Sequence, residues 1–333
     1  MDDQIYHYYC HLHRIVKRNQ ECKLRDPIKQ GPDLDLVLRQ SYIGSSEWAV
    51  VAGLFNKYKS LYDVWYEKIN GYEPIDSLRM RHGRDAEPMI AKWVEEDMNV
   101  TVAKDGFVRF HKDYDFLATN LDGIIYHTDG STSVLEIKTA STIARDTWGA
   151  ELPIQYYVQI QGQMLVTGMK KAYVAIETFG FAGPEKFEIL GPYDFDPEFA
   201  EMVVNKCVDF WLNHVVTQVA PEPMNDSDIK RVYPESNGNS LEASPELKTQ
   251  IETLKQFKET KKEIDLSIND LEIGIKKIMG DDEILTYGDD TLVTWKNGKP
   301  RESFDRKALE QDDAQLYEKY IKRSGPIRIF RLK

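Results

Sequence analysis

Leu121-Asp122-Gly123-Ile124-Ile125-Tyr126-His127 runs through Asp129-Gly130 into Ser133-Val134-Leu135-Glu136-Ile137-Lys138. An Asp-Gly pair between two apolar runs signals a hairpin, here with strands expected at 123–127 and 133–138. Strand side chains alternate between faces, so Glu136 and Lys138 point one way while Leu135 and Ile137 point the other. The hairpin can set Asp122 opposite the Glu-Lys pair, bringing two carboxylates and an ammonium into one patch. On its own, a Glu-x-Lys strand face is more commonly a solvated edge with a cross-strand acid. Its surroundings decide otherwise.

Outward from the hairpin, helices and strands alternate. Helices are expected at 48–55, 60–69 and 87–97, where Ile90, Trp93 and Val94 share a side. Strands follow at 107–111 and 116–119, ahead of the hairpin. After the hairpin come a helix over 154–167, the apolar strand 172–178 and a helix over 197–216. This order predicts an α/β fold, a mixed central sheet flanked by helices.

Three segments give the hairpin chemical company. Glu87, after Gly83, is expected to open its helix, where an acid favours the dipole. Gln159 and Gln163 lie one helical turn apart, with Tyr156 on the same face, so a polar stripe can line a site floor. Arg39-Gln40-Ser41-Tyr42-Ile43-Gly44-Ser45-Ser46-Glu47 precedes a helix. Its Gly and Ser residues and the helix N–H groups suit an anion, with Arg39 as a bidentate phosphate contact.

The chemistry that needs this set is phosphodiester hydrolysis. Two carboxylates are hard oxygen ligands suited to Mg²⁺, which keeps several of its waters. The metal polarises phosphate and acidifies a bound water. A lysine two residues beyond the glutamate can orient that water and stabilise transition-state charge.

The totals are compatible with this. The 333 residues are 41% hydrophobic and 29% charged, enough for one large or two modest domains. No run resembles a membrane span, and the start lacks the basic-then-apolar order of a secretory signal, so a cytoplasmic protein is expected. Cys10, Cys22 and Cys207 are too few for a four-thiolate cluster, and no CxxC suggests a zinc ribbon. His11 and His13 read as surface residues. The formal charge of −12 disfavours general coating of DNA, but it leaves room for an enzyme that grips DNA at one place.

Residues 1–38 read as an N-terminal segment ending in Gly31-Pro32-Asp33, 39–217 as the core, and 218–245, rich in Pro and Asn, as a linker. Residues 246–333 read as a helical and β-hairpin extension. There Leu247, Ile251, Leu254, Ile264, Ile268, Leu271, Ile275 and Ile278 form an apolar stripe expected to be buried, in packing or in an oligomer contact. Strands are expected around 284–287 and 291–295. A basic end (Lys322, Arg323, Arg328, Arg331, Lys333) could alternatively touch DNA phosphates.

Taken together, Arg39-x6-Ser46, Gly83-x3-Glu87, Leu121-Asp122-Gly123, Glu136-Ile137-Lys138 and Tyr156-x2-Gln159-x-Gln161 resemble the PD-(D/E)xK nuclease superfamily. Within it, they resemble the lambda-exonuclease/YqaJ type of phage recombination exonuclease. The resemblance runs from about Arg39 to about Val216 and implies a restriction-endonuclease-like core. It implies that Asp122, Glu136 and the Ile137 carbonyl ligate Mg²⁺ (with Mn²⁺ as a substitute), Glu87 serving as an outer or second-site ligand. Lys138 would hold the attacking water, and Gln159 would support the metal site. Arg39 and Ser46, with Tyr156 and Gln161, would contact DNA and its 5′ phosphate.

The implied activity is 5′→3′ digestion of double-stranded DNA ends to 3′ single strands for recombination. The implied setting is a ring-shaped trimer of phage or prophage origin in a bacterial host, working with a single-strand annealing protein. The alternatives are an endonuclease or repair nuclease of the same fold, and a DNA-end-binding module without catalysis. Leu121 stands where the motif has proline, and fourteen positions separate Asp122 from Glu136. Either Asp113 or Asp115 is open as an additional ligand.

Overall fold

The computed structural model describes residues 28–29, 39–71, 77–149, 151–180, 186–300, 303–322 and 328–333. The readings of Cys10, Cys22, His11, His13, Gly31-Pro32-Asp33 and Arg323 fall outside the described residues. The chain divides into two compact units, Met1–Val232 and Tyr233–Lys333.

In the first unit the hairpin strands are β6 (Gly123–Tyr126) and β7 (Thr132–Ser141). They pair antiparallel with Gly123 opposite Leu135, and the same register carried one residue further sets Asp122 opposite Glu136. Around them run β3 (Thr101–Ala103), β8 (Lys171–Phe179) and β9 (Lys186–Asp194), giving the sheet order β3-β6-β7-β8-β9. Only the β7–β8 contact is parallel, so this sheet is mixed as expected. A second sheet has the order β1-β4-β5-β2, from Ile28–Lys29, Ile43–Gly44, Phe107–Phe110 and Leu117–Asn120 in chain order. β5 leads directly into Leu121-Asp122 and β6, so the acid sits where one sheet hands the chain to the other.

Helices cover both faces of the five-stranded sheet. The two-residue alternation of β7 separates them: Leu135 and Ile137 meet one helix, and Val134 meets the other. The first helix is α3 (Leu78–Met98), which buries Ala86, Ile90 and Val94 against Ile125, Leu135, Ile137 and Ala175. The second is α5 (Ile154–Thr167), whose Ile160 and Met164 pack on Ile124, Val134, Val174 and Ile176. Between them in sequence lies the short α4 (Thr142–Asp146).

A further layer joins α1 (Ser45–Val51), α2 (Leu61–Asn70) and α6 (Pro197–Phe210) to α5 through Trp48, Val64, Val158, Val203, Cys207 and Phe210. The fully buried Trp48 lies against Gly162 of α5, where a Cβ would come within 2.8 Å of the indole ring. Close approach is thus the reason for glycine at 162.

Two expectations change. α3 begins at Leu78 rather than Glu87, capped by Ser77, whose hydroxyl accepts from Met80 N–H at 3.2 Å. Its first two turns are largely exposed, so no apolar period marked them. The stretch 218–245 is not a plain linker: α7 (Asp226–Val232) lies within it. Asp228 there is fully buried, accepting from the Ser60 hydroxyl at 2.8 Å and from Met224 N–H at 3.0 Å.

The second unit contains α8 (Pro245–Met279), a single helix of 35 residues capped by Ser244. It is followed by the hairpin β10 (Ile284–Tyr287) and β11 (Asp290–Thr294), then α9 (Arg306–Asp312) and α10 (Ala314–Tyr320). Within this unit the apolar stripe of α8 is largely exposed, which leaves the oligomer contact as the cover expected for it.

Candidate active site

Backbone geometry assembles the centre. The Asp122 carboxylate accepts from Ile137 N–H at 2.7 Å, which ties the start of β6 to the middle of β7. Glu136, 1% exposed, turns to the α5 face and is held on both oxygens. Oε1 accepts from Gln159 Nε2 at 2.7 Å and from Lys138 Nζ; Oε2 accepts from Gln163 Nε2 at 2.6 Å. Lys138 also donates to Gln159 Oε1 at 3.3 Å, and its ammonium stands 5.0 Å from the centre of the Tyr156 ring. The residues at 156, 159 and 163 of α5 therefore meet Glu136 and Lys138, as their helical spacing implies.

The electrostatics follow from burial. Asp122 is pushed up to about 8 by burial, then by the Glu136 charge, with a smaller push from Glu87; Lys138 and Ile137 N–H oppose this. For Lys138, burial favours the neutral amine, but Glu136 and Asp122 hold its pKa above the ordinary lysine value. Asp122 and Glu136 thus form a buried like-charge pair that one ammonium compensates only in part.

Arg39, Gly44, Ser45, Ser46, Glu47, Lys59, Lys68 and Asn120 share one cavity of about 280 Å³ with Asp122 and Gln159. Behind this wall, Glu47 accepts from Lys68 at 2.7 Å, Lys59 at 2.9 Å and Gly44 N–H at 3.2 Å. Lys68 also donates to the Arg39 carbonyl at 2.8 Å, so α2 holds the Arg39–Ser46 loop in place. Burial would raise the Glu47 carboxyl, but the two ammoniums hold it at about 2. Burial wins at Lys68 and lowers its pKa despite Glu47.

Residues 36–170 match the family model described as the YqaJ-like viral recombinase domain. Over that stretch the chain is similar to the YqaJ-like viral recombinase domain. No curated protein matches the chain. Among solved structures, the chain is similar to LHK-Exo, an alkaline exonuclease from Laribacter hongkongensis, at 16% identity over 60% of this chain and 97% of that one, with a TM-score of 0.46. It is similar to a phage-related exonuclease from Haemophilus somnus 129PT at 12% identity over 54% and 96%, TM-score 0.39. A third likeness is to KSHV SOX in an RNA complex, at 11% identity over 55% and 70%, TM-score 0.36.

The expected site residues do not all converge. Asp122, Glu136, Lys138 and Gln159 contact one another directly or through Ile137, and Arg39 and Ser46 share the cavity. Glu87 stands in mid-helix rather than at a helix start. It lines a separate pocket of about 350 Å³ with Asp122 and Lys104, whose ammonium is 3.3 Å from Glu87 Oε2.

Gln161 is a correction. A 100° step per residue turns it away from Gln159, and it is buried among backbone groups. It donates to the Asp194 carbonyl at 2.9 Å and accepts from Asp196 N–H at 2.8 Å, fixing the junction of β9 and α6. Asp113 and Asp115 are exposed on the β4–β5 turn, and neither lines the cavity. Asn120 and the Glu47–Lys68 pair were missed as site residues. Gln163 was legible from its i+4 relation to Gln159. Lys68 is 21 residues from Glu47 and 29 from Arg39, and only the fold unites them.

The donor set suits a hard divalent cation. Among the described residues no three His, Cys, Asp or Glu side chains form a metal cluster by themselves. Mg²⁺ needs only one or two carboxylates, because it keeps several waters. Two further observations favour it: the raised Asp122 carboxyl beside Glu136, and two buried acceptors nearby, Asn120 Oδ1 and Gln163 Oε1, without a hydrogen-bond partner.

Proposed function

We propose that this protein is a Mg²⁺-dependent deoxyribonuclease that resects duplex DNA ends in the 5′→3′ direction, leaving 3′ single strands for phage-type recombination. The carrying observation is one cavity with the Asp122 carboxylate on one wall and Arg39, Ser45 and Ser46 on another. A nucleic-acid chain offers phosphates at a regular spacing, and these walls suit a terminal phosphate and a scissile phosphodiester together. The likeness to the YqaJ-like domain supports the recombination setting. A ring trimer and a single-strand annealing partner belong to the same reading. Among the described residues, no helix is long and apolar enough to cross a membrane.

In this mechanism Asp122, Glu136 and the Ile137 carbonyl would hold Mg²⁺, with Glu87 as an outer or second-site ligand. The cation would supply Lewis-acid polarisation of the phosphate and a more acidic water. Gln159 and Gln163 fix the Glu136 carboxylate, limiting reorganisation during reaction. Lys138, steered by Glu136 and Gln159, orients the attacking water and stabilises charge on the phosphate oxygens. Arg39 and Ser46 grip the 5′ phosphate and thereby set the direction.

The test is digestion of linear duplexes carrying 5′-phosphate or 5′-hydroxyl ends, with each strand labelled and Mg²⁺ present. Phosphorylated ends should shorten from the 5′ side, and Lys138→Ala should lose at least about a hundredfold in rate. Intact phosphorylated duplex, or Lys138→Ala as active as the parent, overturns the proposal. Cutting of a closed circle would replace it with an endonuclease.

A further inference from the structure

The exposed seam of α8 has a regular period. In its C-terminal half Ile264, Ile268, Leu271, Ile275 and Ile278 step by four, three, four and three residues. Continued backwards, the steps reach Lys261, Phe257, Leu254, Gln250 and Leu247, so only Lys261 and Gln250 interrupt the apolar seam. That is the seven-residue repeat of a coiled coil, sustained along about 47 Å of helix. Among the described residues of the second unit nothing closes it: Phe257 is 69% exposed, Leu271 70% and Ile278 82%. Leu266 and Ile273 lie off the seam and take no part.

Charge selects the occupant and its direction. Residues 245–262 carry five lysines against three glutamates, and residues 263–279 carry four carboxylates against two lysines. A second copy laid antiparallel sets the positive half of each helix against the negative half of the other. Matching the seam about its midpoint stacks Leu254 on Leu271, Phe257 on Ile268, and Leu247 on Ile278. Along one flank the same register puts Lys258 beside Asp265 of the second copy, twice by symmetry.

The other flank pairs Thr260 with Ser267 and Thr253 with Gly274. Glycine inside an exposed helix costs about 1 kcal/mol, and among the described residues nothing lies within 4 Å of a Cβ built at Gly274. A close neighbouring helix would give that glycine a use. Parallel pairing instead sets Lys258, Asp265 and Glu272 against Thr253, Thr260 and Ser267, with no charge pair gained.

We propose that α8 is an antiparallel homodimerisation helix, joining two copies of this chain through the seam from Leu247 to Ile278. The contact is independent of the nuclease centre, so it stands or falls apart from the proposed activity.

Two measurements on the full-length protein test it. In sedimentation equilibrium, Leu254→Ser/Ile268→Ser/Leu271→Ser should halve the mass of the parent assembly while leaving DNA cleavage at limiting DNA in place. An unchanged mass overturns the proposal, including the case where the seam packs on its own chain. In the second measurement, proteins carrying only Leu254→Cys or only Leu271→Cys are mixed and treated with a short bis-maleimide. Peptide mass spectrometry should find 254–271 links between chains in the mixture, and neither 254–254 nor 271–271 links in the separate proteins. Links within the separate proteins would show a parallel arrangement and overturn the antiparallel assignment.

Discussion

Replacing Glu47 by glutamine tests whether the second wall of the cavity is held by a buried ion pair. The side chains of Glu47 and Lys68 are 15% and 3% exposed, and their charged atoms are 2.7 Å apart. The Glu47 carboxyl is displaced from 4.5 to about 2, which corresponds to about 3 kcal/mol of stability at neutral pH. Removing one member of a buried pair costs about 3–5 kcal/mol by a separate route, since the remaining charge is stranded. Lys68 limits that penalty, because burial already lowers its pKa and it can release its proton. Glu47→Gln should therefore lose about 3 kcal/mol in urea denaturation at pH 7, with an unchanged slope.

The acid limb supplies a second reading of the same pair. A carboxyl depressed on folding stabilises above its unfolded pKa, and that contribution is lost as pH falls from about 4.5 towards 2. The parent should show this loss, and Glu47→Gln should lack it. Combining Glu47→Gln with Lys68→Met should cost less than the sum of the single changes. A loss below about 1 kcal/mol, or the same acid limb in both proteins, would refute the reasoning.

Asp122 has the opposite sign. Its carboxyl is raised on folding, so in metal-free protein its contribution to stability is present below about 4 and lost as pH rises through about 8. Mg²⁺ should expel that proton, so the rise in melting temperature on adding Mg²⁺ should grow with pH up to about 8; Asp122→Asn should abolish the growth. Gly162→Ala should destabilise by about 1–3 kcal/mol through overpacking, because its methyl would meet Trp48 at 2.8 Å. Helix propensity alone predicts a gain of about 1 kcal/mol, so the sign of the change in denaturation midpoint discriminates the two.

What was legible in the sequence was whatever a local period or a local turn specifies. The β6–β7 hairpin came from Asp129-Gly130 and the alternation of Val134 to Lys138, and it carried the site with it. The helix over 154–167 has the expected bounds because Pro153 and Gly168 punctuate it. β9 was missed: it lies at the sheet edge, half-exposed, and Gly191-Pro192 interrupts its apolar run. α7 was hidden by a Pro- and Asn-rich composition, since tertiary bonds from Asp228 to Ser60 and from Arg231 to Asp63 hold it. On α8, the repeat was visible but not its exposure, because a period states that a face wants cover without saying which chain supplies it.

The two walls of the cavity differ in how their charges close. Glu47, Glu67, Lys59 and Lys68 are two carboxylates and two ammoniums, linked through Lys59 and Lys68, and the group is neutral by itself. Asp122, Glu136 and Lys138 are two carboxylates and one ammonium, which leaves one negative charge buried. A charge left so in a low-dielectric site must take a proton or a cation. On the paired wall the Lys59 and Lys68 ammoniums are committed to Glu47 and Glu67. In the proposed mechanism a divalent ion from solution would meet the deficit at Asp122 and exceed it by one positive charge. On the proposed mechanism, that excess would let a chain of formal charge −12 hold a phosphodiester at this one place.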